Sequence, residues 1–376
     1  MSTDKDDSRG RCTDILGDAL NAAEDAIPIL DSMLVQGSET AAVVQSVLKN
    51  TRDGITAINN LQKWCAGIDH SDRGSPAMRF HTQQVDRLLG YPEQISGMIG
   101  VVVAWLEQQR TLFFRDDAGF CEKLVVSMLR EIGVNVQPHV VFADHFGVYD
   151  SGSSCFVSIP YVLAKRYNRW AGIAHEVGHA FQRGHLSLDQ GALLEILFGQ
   201  LKDLQVEGQV ERVETIVLNW FWNWLPELLA DFVALSLFGM FYVLEIHHRT
   251  TALDYGSVWT THPPMSIRLS CFRAALAKAG TQLEKGDSLF ESPAPVPEKL
   301  DQVLNAVIGN RLAPPFIDWV LRQPGYAELR TNWNEILDPS VSSSLISKFA
   351  AVCLASYSED MSEVFELLKT ETTKDQ

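Results

Sequence analysis

The chain reads as a mainly α-helical protein with one small β-sheet. Three observations predict this class. Apolar residues recur at helical spacing over most of the 376 residues. That period gives way to short β-branched and aromatic runs only between Pro138 and Pro160, and helical patterning then resumes almost to the C-terminus. With 46% hydrophobic and 21% charged residues, the composition excludes wholesale disorder, a collagen-like repeat and a polytopic membrane protein. The length exceeds one typical domain and predicts a core with sizeable additions.

Residues 1–12 are polar and acidic, lack the basic-then-apolar order of a secretory signal, and are expected to form a disordered lead-in. Residues 13–137 form an N-terminal helical region. Val44, Val47, Leu48, Ile55, Ile58 and Leu61 follow the i, i+3, i+4, i+7 rule, Gly-Ser-Pro at 74–76 breaks the pattern, and further helices cover 82–113 and 118–132. The sheet falls on two runs, 139–142 and 155–159, separated by Asp-Ser-Gly-Ser-Ser at 150–154. Helices are then expected over 161–184, 188–206, 211–247 and 262–279, inside a core of 138–283. Residues 284–297 form a linker because the three prolines between 293 and 297 favour an extended chain. A C-terminal helical region, 298–376, follows.

One apolar stretch, Leu228 to Ile246, approaches the length of a membrane span, but Asp231 interrupts it. A charge is costly in a bilayer and ordinary in a protein interior where it meets a partner, so a buried helix is expected and no stable span. The net charge of −16 argues against binding nucleic-acid phosphates or anionic lipid. Six scattered cysteines with no Cys-x-x-Cys pair suit a reducing compartment, hence a cytoplasmic location.

The strongest chemical signal is His175-Glu176-Val177-Gly178-His179. On a helix, residues i and i+4 share a face, so both imidazoles can grip one ion while Glu176 points at a water beside it. Zinc suits nitrogen ligands and keeps a coordination position open in its catalytic sites, so one Zn2+ per chain is expected. Trp170, Ile173, Ala174 and Val177 supply an apolar face for this helix, and Gly184 is placed to end it.

Two histidines call for a third protein ligand, and two candidates stand. Glu227, in Pro-Glu-Leu-Leu-Ala-Asp at 226–231, has Asp231 one helical turn on, free to hydrogen-bond the far nitrogen of a ligand histidine. His185 lies ten residues after His175, the interval at which metzincins place a third histidine. That motif has a glycine three residues after its second histidine, where this chain has Gln182.

His175–His179, then Glu227–Asp231, then Thr261-His262-Pro263-Pro264-Met265-Ser266-Ile267-Arg268 resemble, in this order, the gluzincin metallopeptidases, especially the branch of CAAX prenyl proteases and bacterial heat-shock membrane proteases. The resemblance spans about 137–275. It implies His175, His179 and Glu227 as zinc ligands, Glu176 as general base and Asp231 as the support of a ligand histidine. It also implies that His262 and Arg268 face the substrate or stabilise the transition state. This chain then stands as a relative without the spanning helices of the membrane members.

Read by itself, a Glu beside a zinc-bound water can take its proton and return it to a leaving amine, and a histidine across the cleft can stabilise the oxyanion. His262 is the candidate for that second part. A peptide substrate also needs a rail, and Ser154, Cys155, Phe156, Val157 and Ser158 are expected to form an edge strand to which it adds by backbone hydrogen bonds. The function expected is a zinc endopeptidase acting on a polypeptide, with flanking helical regions offering surfaces to a protein partner. Two alternatives stand beside it: a regulatory or scaffold protein on a zincin fold, and a zinc hydrolase of a non-peptide substrate.

Overall fold

The structure is a computed structural model that describes residues 3–34, 38–67, 85, 88, 91–110, 115–143, 146–150, 154–184, 188, 190–201, 220–249, 262–278, 300–329, 344–356, 364 and 367. It is mainly α-helical with one three-stranded sheet. The chain divides into two compact units. One comprises residues 1–115, 136–143 and 149–158, and the other comprises 116–135, 144–148 and 159–376.

In the first unit, helices α1 (Thr3–Met33), α2 (Ser38–Gly67) and α3 (Tyr91–Arg110) pack together, and α3 also packs on strand β1 (Gln137–Ala143). α1 begins inside the segment expected to be disordered. Leu30, Val44, Val47 and Val102, at apolar positions that the 3.6-residue period aligns, meet Val141 and Phe156 of the strands in one buried cluster. Gln108 links α3 to the strand: its amide donates to the Val140 carbonyl at 3.1 Å and its carbonyl accepts from the Phe142 N–H at 2.9 Å.

Strands β2 (Gly147–Asp150) and β3 (Ser154–Pro160) complete a sheet of order β1-β3-β2. This corrects the expectation of an edge strand over 154–158. β3 is central, both its edges are taken by neighbours, and Cys155, Phe156, Val157 and Ser158 are buried. A strand with paired edges has no free N–H and C=O row to offer a peptide. β2 escaped notice because Gly-Val-Tyr-Asp is too short to show an alternation.

The second unit holds α4 (Arg115–Glu131), α5 (Ala171–Gly184), α6 (Gln190–Leu201), α7 (Leu225–Phe238), α8 (Met240–Arg249), α9 (Met265–Lys278), α10 (Leu300–Val320), α11 (Tyr326–Leu329) and α12 (Leu345–Ala355). The helix expected from Tyr161 starts only at Ala171. Two 3₁₀ turns, Tyr161–Leu163 and Tyr167–Arg169, precede it, and Arg166 between them has a non-helical backbone (φ −107°, ψ 70°). The apolar run 228–246 is likewise not one helix. It breaks at Gly239, whose φ of 55° and ψ of −134° suit only glycine. Among the described residues no helix is long and apolar enough to cross a membrane.

The C-terminal helices belong to this same unit rather than to a separate region past the linker. Phe349 of α12 stacks on Trp170 with ring centroids 6.2 Å apart and also meets Phe120, Phe238 and Phe241. Tyr326 of α11 packs on Phe181 of α5 and Phe232 of α7.

Candidate metal centre

α5 carries His175, Glu176 and His179, and α7 carries Glu227 and Asp231. Each helix has a local reason to present them. His175 and His179 lie one turn apart, their rings edge-on with centroids at 4.8 Å. α7 follows a π-helical turn, Trp220–Trp224, and has Pro226 in its first turn, where the missing N–H costs nothing. From Leu228 to Phe238 α7 is buried on every side, so Asp231, 1% exposed, is a carboxylate within an apolar helix.

What brings the two helices together is Gly178. A Cβ at that position would stand 2.7 Å from both Cα and O of Ala230, closer than atoms tolerate. Glycine therefore allows α5 and α7 to touch backbone to backbone, with Glu227 and Asp231 on either side of the contact. One turn beyond His179, the Gln182 amide donates to the Pro226 carbonyl at 2.6 Å and ties the start of α7 to α5. Gln182 occupies the position where a metzincin turn would need glycine, and α5 continues through it to Gly184.

The donor atoms converge. Nε2 of His175 lies 3.1 Å from Oε2 of Glu227, and Nε2 of His179 lies 3.5 Å from its Oε1. Among the described residues, His175, His179 and Glu227 are the one group of potential ligands so gathered, with all three ligand atoms within 4.8 Å of one another. His185 lies outside the described residues. On the far side of the His175 ring, Nδ1 donates to Asp231 Oδ1 at 2.9 Å, which leaves Nε2 facing the cluster.

Arg268 is not where the resemblance placed it. Its Nε donates to Asp231 Oδ2 at 2.7 Å and its Nη2 to Oδ1, a forked pair behind the ligand histidine and not on the substrate side. A buried carboxylate needs a counter-charge, and Arg268 supplies it. His262 is 64% exposed, and its Nε2 is 3.4 Å from Glu227 Oε2. Tyr242 of α8 is a participant that the sequence did not announce. Its hydroxyl donates to Asp231 Oδ1 at 2.5 Å, accepts from Arg268 Nη2 at 3.2 Å and lies 3.1 Å from His175 Nδ1. A tyrosine inside an apolar helix is the signal that could have found it, since a buried hydroxyl seeks a partner.

The electrostatics favour a cation among these groups. Burial alone would raise the Asp231 carboxyl, but Arg268 and His175 hold it well below the usual carboxylate range. Burial likewise works against Glu227 ionising, and His175, His179 and His262 together overcome it and lower its pKa. Burial opposes charge on His175 too, yet hydrogen bonds to Asp231 and Glu227 outweigh it and push the ring up to about 10. His175 and the two carboxylates thus stabilise one another's charge. Two imidazole nitrogens and a carboxylate are a zinc donor set, and three protein donors leave a position open for water, so the residues present fit the metal.

Compared with family models, with curated proteins and with solved structures, the chain finds no match.

Proposed function

We propose that the chain is a zinc-dependent hydrolase, acting as a metalloendopeptidase of the gluzincin kind. The observation that carries this is the convergence of His175, His179 and Glu227 from two helices, with Asp231 on the outer nitrogen of His175. A zinc ion bound by these three side chains would supply Lewis acidity and lower the pKa of a water. Glu176, on the same helix between the two histidines, takes a proton from the attacking water as its oxygen bonds to the peptide carbonyl carbon. It returns the proton to the amine nitrogen as the C–N bond breaks. His262, on the exposed side of Glu227, donates to the carbonyl oxygen as charge develops there. Asp231 holds His175, and Arg268 holds Asp231. Cys121, Cys155, Cys271 and Cys353 are buried thiols, which supports a cytoplasmic place of action.

The purified protein should hold close to one zinc per chain. Glu176→Gln should keep the metal and lose cleavage in a search of a proteome digest for new N-termini. Identical profiles from wild type and variant would overturn the peptidase assignment. One observation favours a second activity: the central position of β3 removes the expected peptide rail, which suits a zinc hydrolase of a small amide or ester. Turnover of such compounds that depends on Glu176, with no new N-termini, would decide for it.

A further inference from the structure

We infer that Tyr242 is a positioning residue that sets which nitrogen of His175 faces the metal. This rests on the metal site proposed above.

The inference follows from counting protons. Arg268 Nη2 has only hydrogens to offer, and it reaches both Asp231 Oδ1 and the Tyr242 oxygen. The Tyr242 oxygen is therefore an acceptor toward Arg268, and its single proton goes to Asp231 Oδ1. His175 Nδ1 then faces two groups that can only accept from it: the carboxylate oxygen at 2.9 Å and the tyrosine lone pair at 3.1 Å. Nδ1 must carry a hydrogen, so the nitrogen that a metal would claim is Nε2, which lies 3.1 Å from Glu227 Oε2. Without the hydroxyl, Arg268 still neutralises Asp231, but Nδ1 loses one of its two acceptors and Oδ1 loses a donor that fixes its direction.

The fold goes to some length to bring this hydroxyl in. Tyr242 follows Asp231 by 11 residues. In an unbroken helix it would lie about 16 Å farther along the axis, out of reach. The turn at Gly239 ends α7 and starts α8 in a new direction, so that Tyr242 folds back on the helix it has just left. Phe272 of α9 meets its ring edge-on at 5.7 Å and fixes its orientation.

The test compares wild type, Tyr242→Phe and Ser236→Ala, the last removing a different buried hydroxyl from α7. Zinc affinity is measured by competition with a chromogenic chelator, and cobalt is substituted to record its visible absorption. Tyr242→Phe should bind zinc about 10- to 100-fold more weakly, the range for groups that orient a ligand histidine, and shift the cobalt bands. Ser236→Ala should stay within twofold of wild type. Equal affinities and spectra for wild type and Tyr242→Phe, or equal losses for both variants, would overturn the inference. A second measurement keeps the fold intact: 3-fluorotyrosine at 242 retains the hydroxyl, and its fluorine resonance should move when zinc is added, whereas an unmoved resonance counts against the coupling. If wild type takes up no zinc, the metal site itself falls, and this role with it.

Discussion

Gly178→Ala is the sharpest probe of how the helices that carry His175, His179 and Glu227 are held. The added methyl carbon would meet Ala230 Cα and O at 2.7 Å and its carbonyl carbon at 3.1 Å. Comfortable carbon contacts begin near 3.5 Å, so α5 and α7 must part by roughly 0.8 Å. His175 Nδ1 donates to Asp231 across that interface at 2.9 Å, and the same opening would stretch the bond to about 3.7 Å, past the hydrogen-bond limit. Zinc ligands tolerate only about 0.2 Å of displacement, so Glu227 would also leave its place. Overpacking costs about 1–3 kcal/mol, while alanine returns about 1 kcal/mol of helix propensity, so the fold should lose at most about 2 kcal/mol. Metal affinity should drop about 10- to 100-fold. Urea denaturation of the metal-free protein and chelator competition for zinc measure the two effects separately. Gly119→Ala is the control: it lies in a helix of the same unit with open space around it, and it should be neutral or stabilising. If Gly178→Ala bound zinc within twofold of wild type, the close approach would have no part in building the site.

Phe349→Ala, far from the metal in sequence, should cost about 3–5 kcal/mol in urea denaturation, because the ring touches Trp170, Phe120, Phe238 and Phe241. Gly239→Ala puts a side chain at a glycine-only φ and ψ and should cost about 1–3 kcal/mol while weakening zinc binding, read by the same two assays. Burial holds His139 at about 4, below the ordinary 6.5, with its Nε2 unpartnered among the described residues beside Trp105. The unfolded chain therefore binds more protons than the folded one between those values. The stability that depends on His139 is complete above pH 6.5 and is lost as pH falls toward 4. His139→Phe should flatten the fall in urea midpoint between pH 7 and pH 5, and an equal fall in both proteins would refute the assignment.

The parts of the site legible in the sequence are those written within one helix. His175 and His179, and Glu227 and Asp231, each declare themselves because four residues make one turn of a single face. What joins those faces is not written at any fixed spacing. Arg268 lies 37 residues after Asp231, and nothing local distinguishes a solvated arginine from one forked onto a buried carboxylate. Gly178 reads as filler between two ligands until the backbone of Ala230 is seen against it. The break at Gly239 is hidden by the uniform apolarity around it, since a positive φ leaves no hydropathy signature. The prolines at 293–297 lie outside the described residues, and their composition does not say whether the chain beyond them packs back.

It does pack back, and this bears on biosynthesis. Tyr326 and Phe349 support α5, α7 and the aromatic layer beneath them, and the ribosome adds them long after His175 and Glu227. Units of this kind complete their cores as a whole. A nascent chain that has exposed His175, His179 and Glu227 still lacks the residues that hold their two helices in register, so the cluster assembles only once the end of the chain has been made.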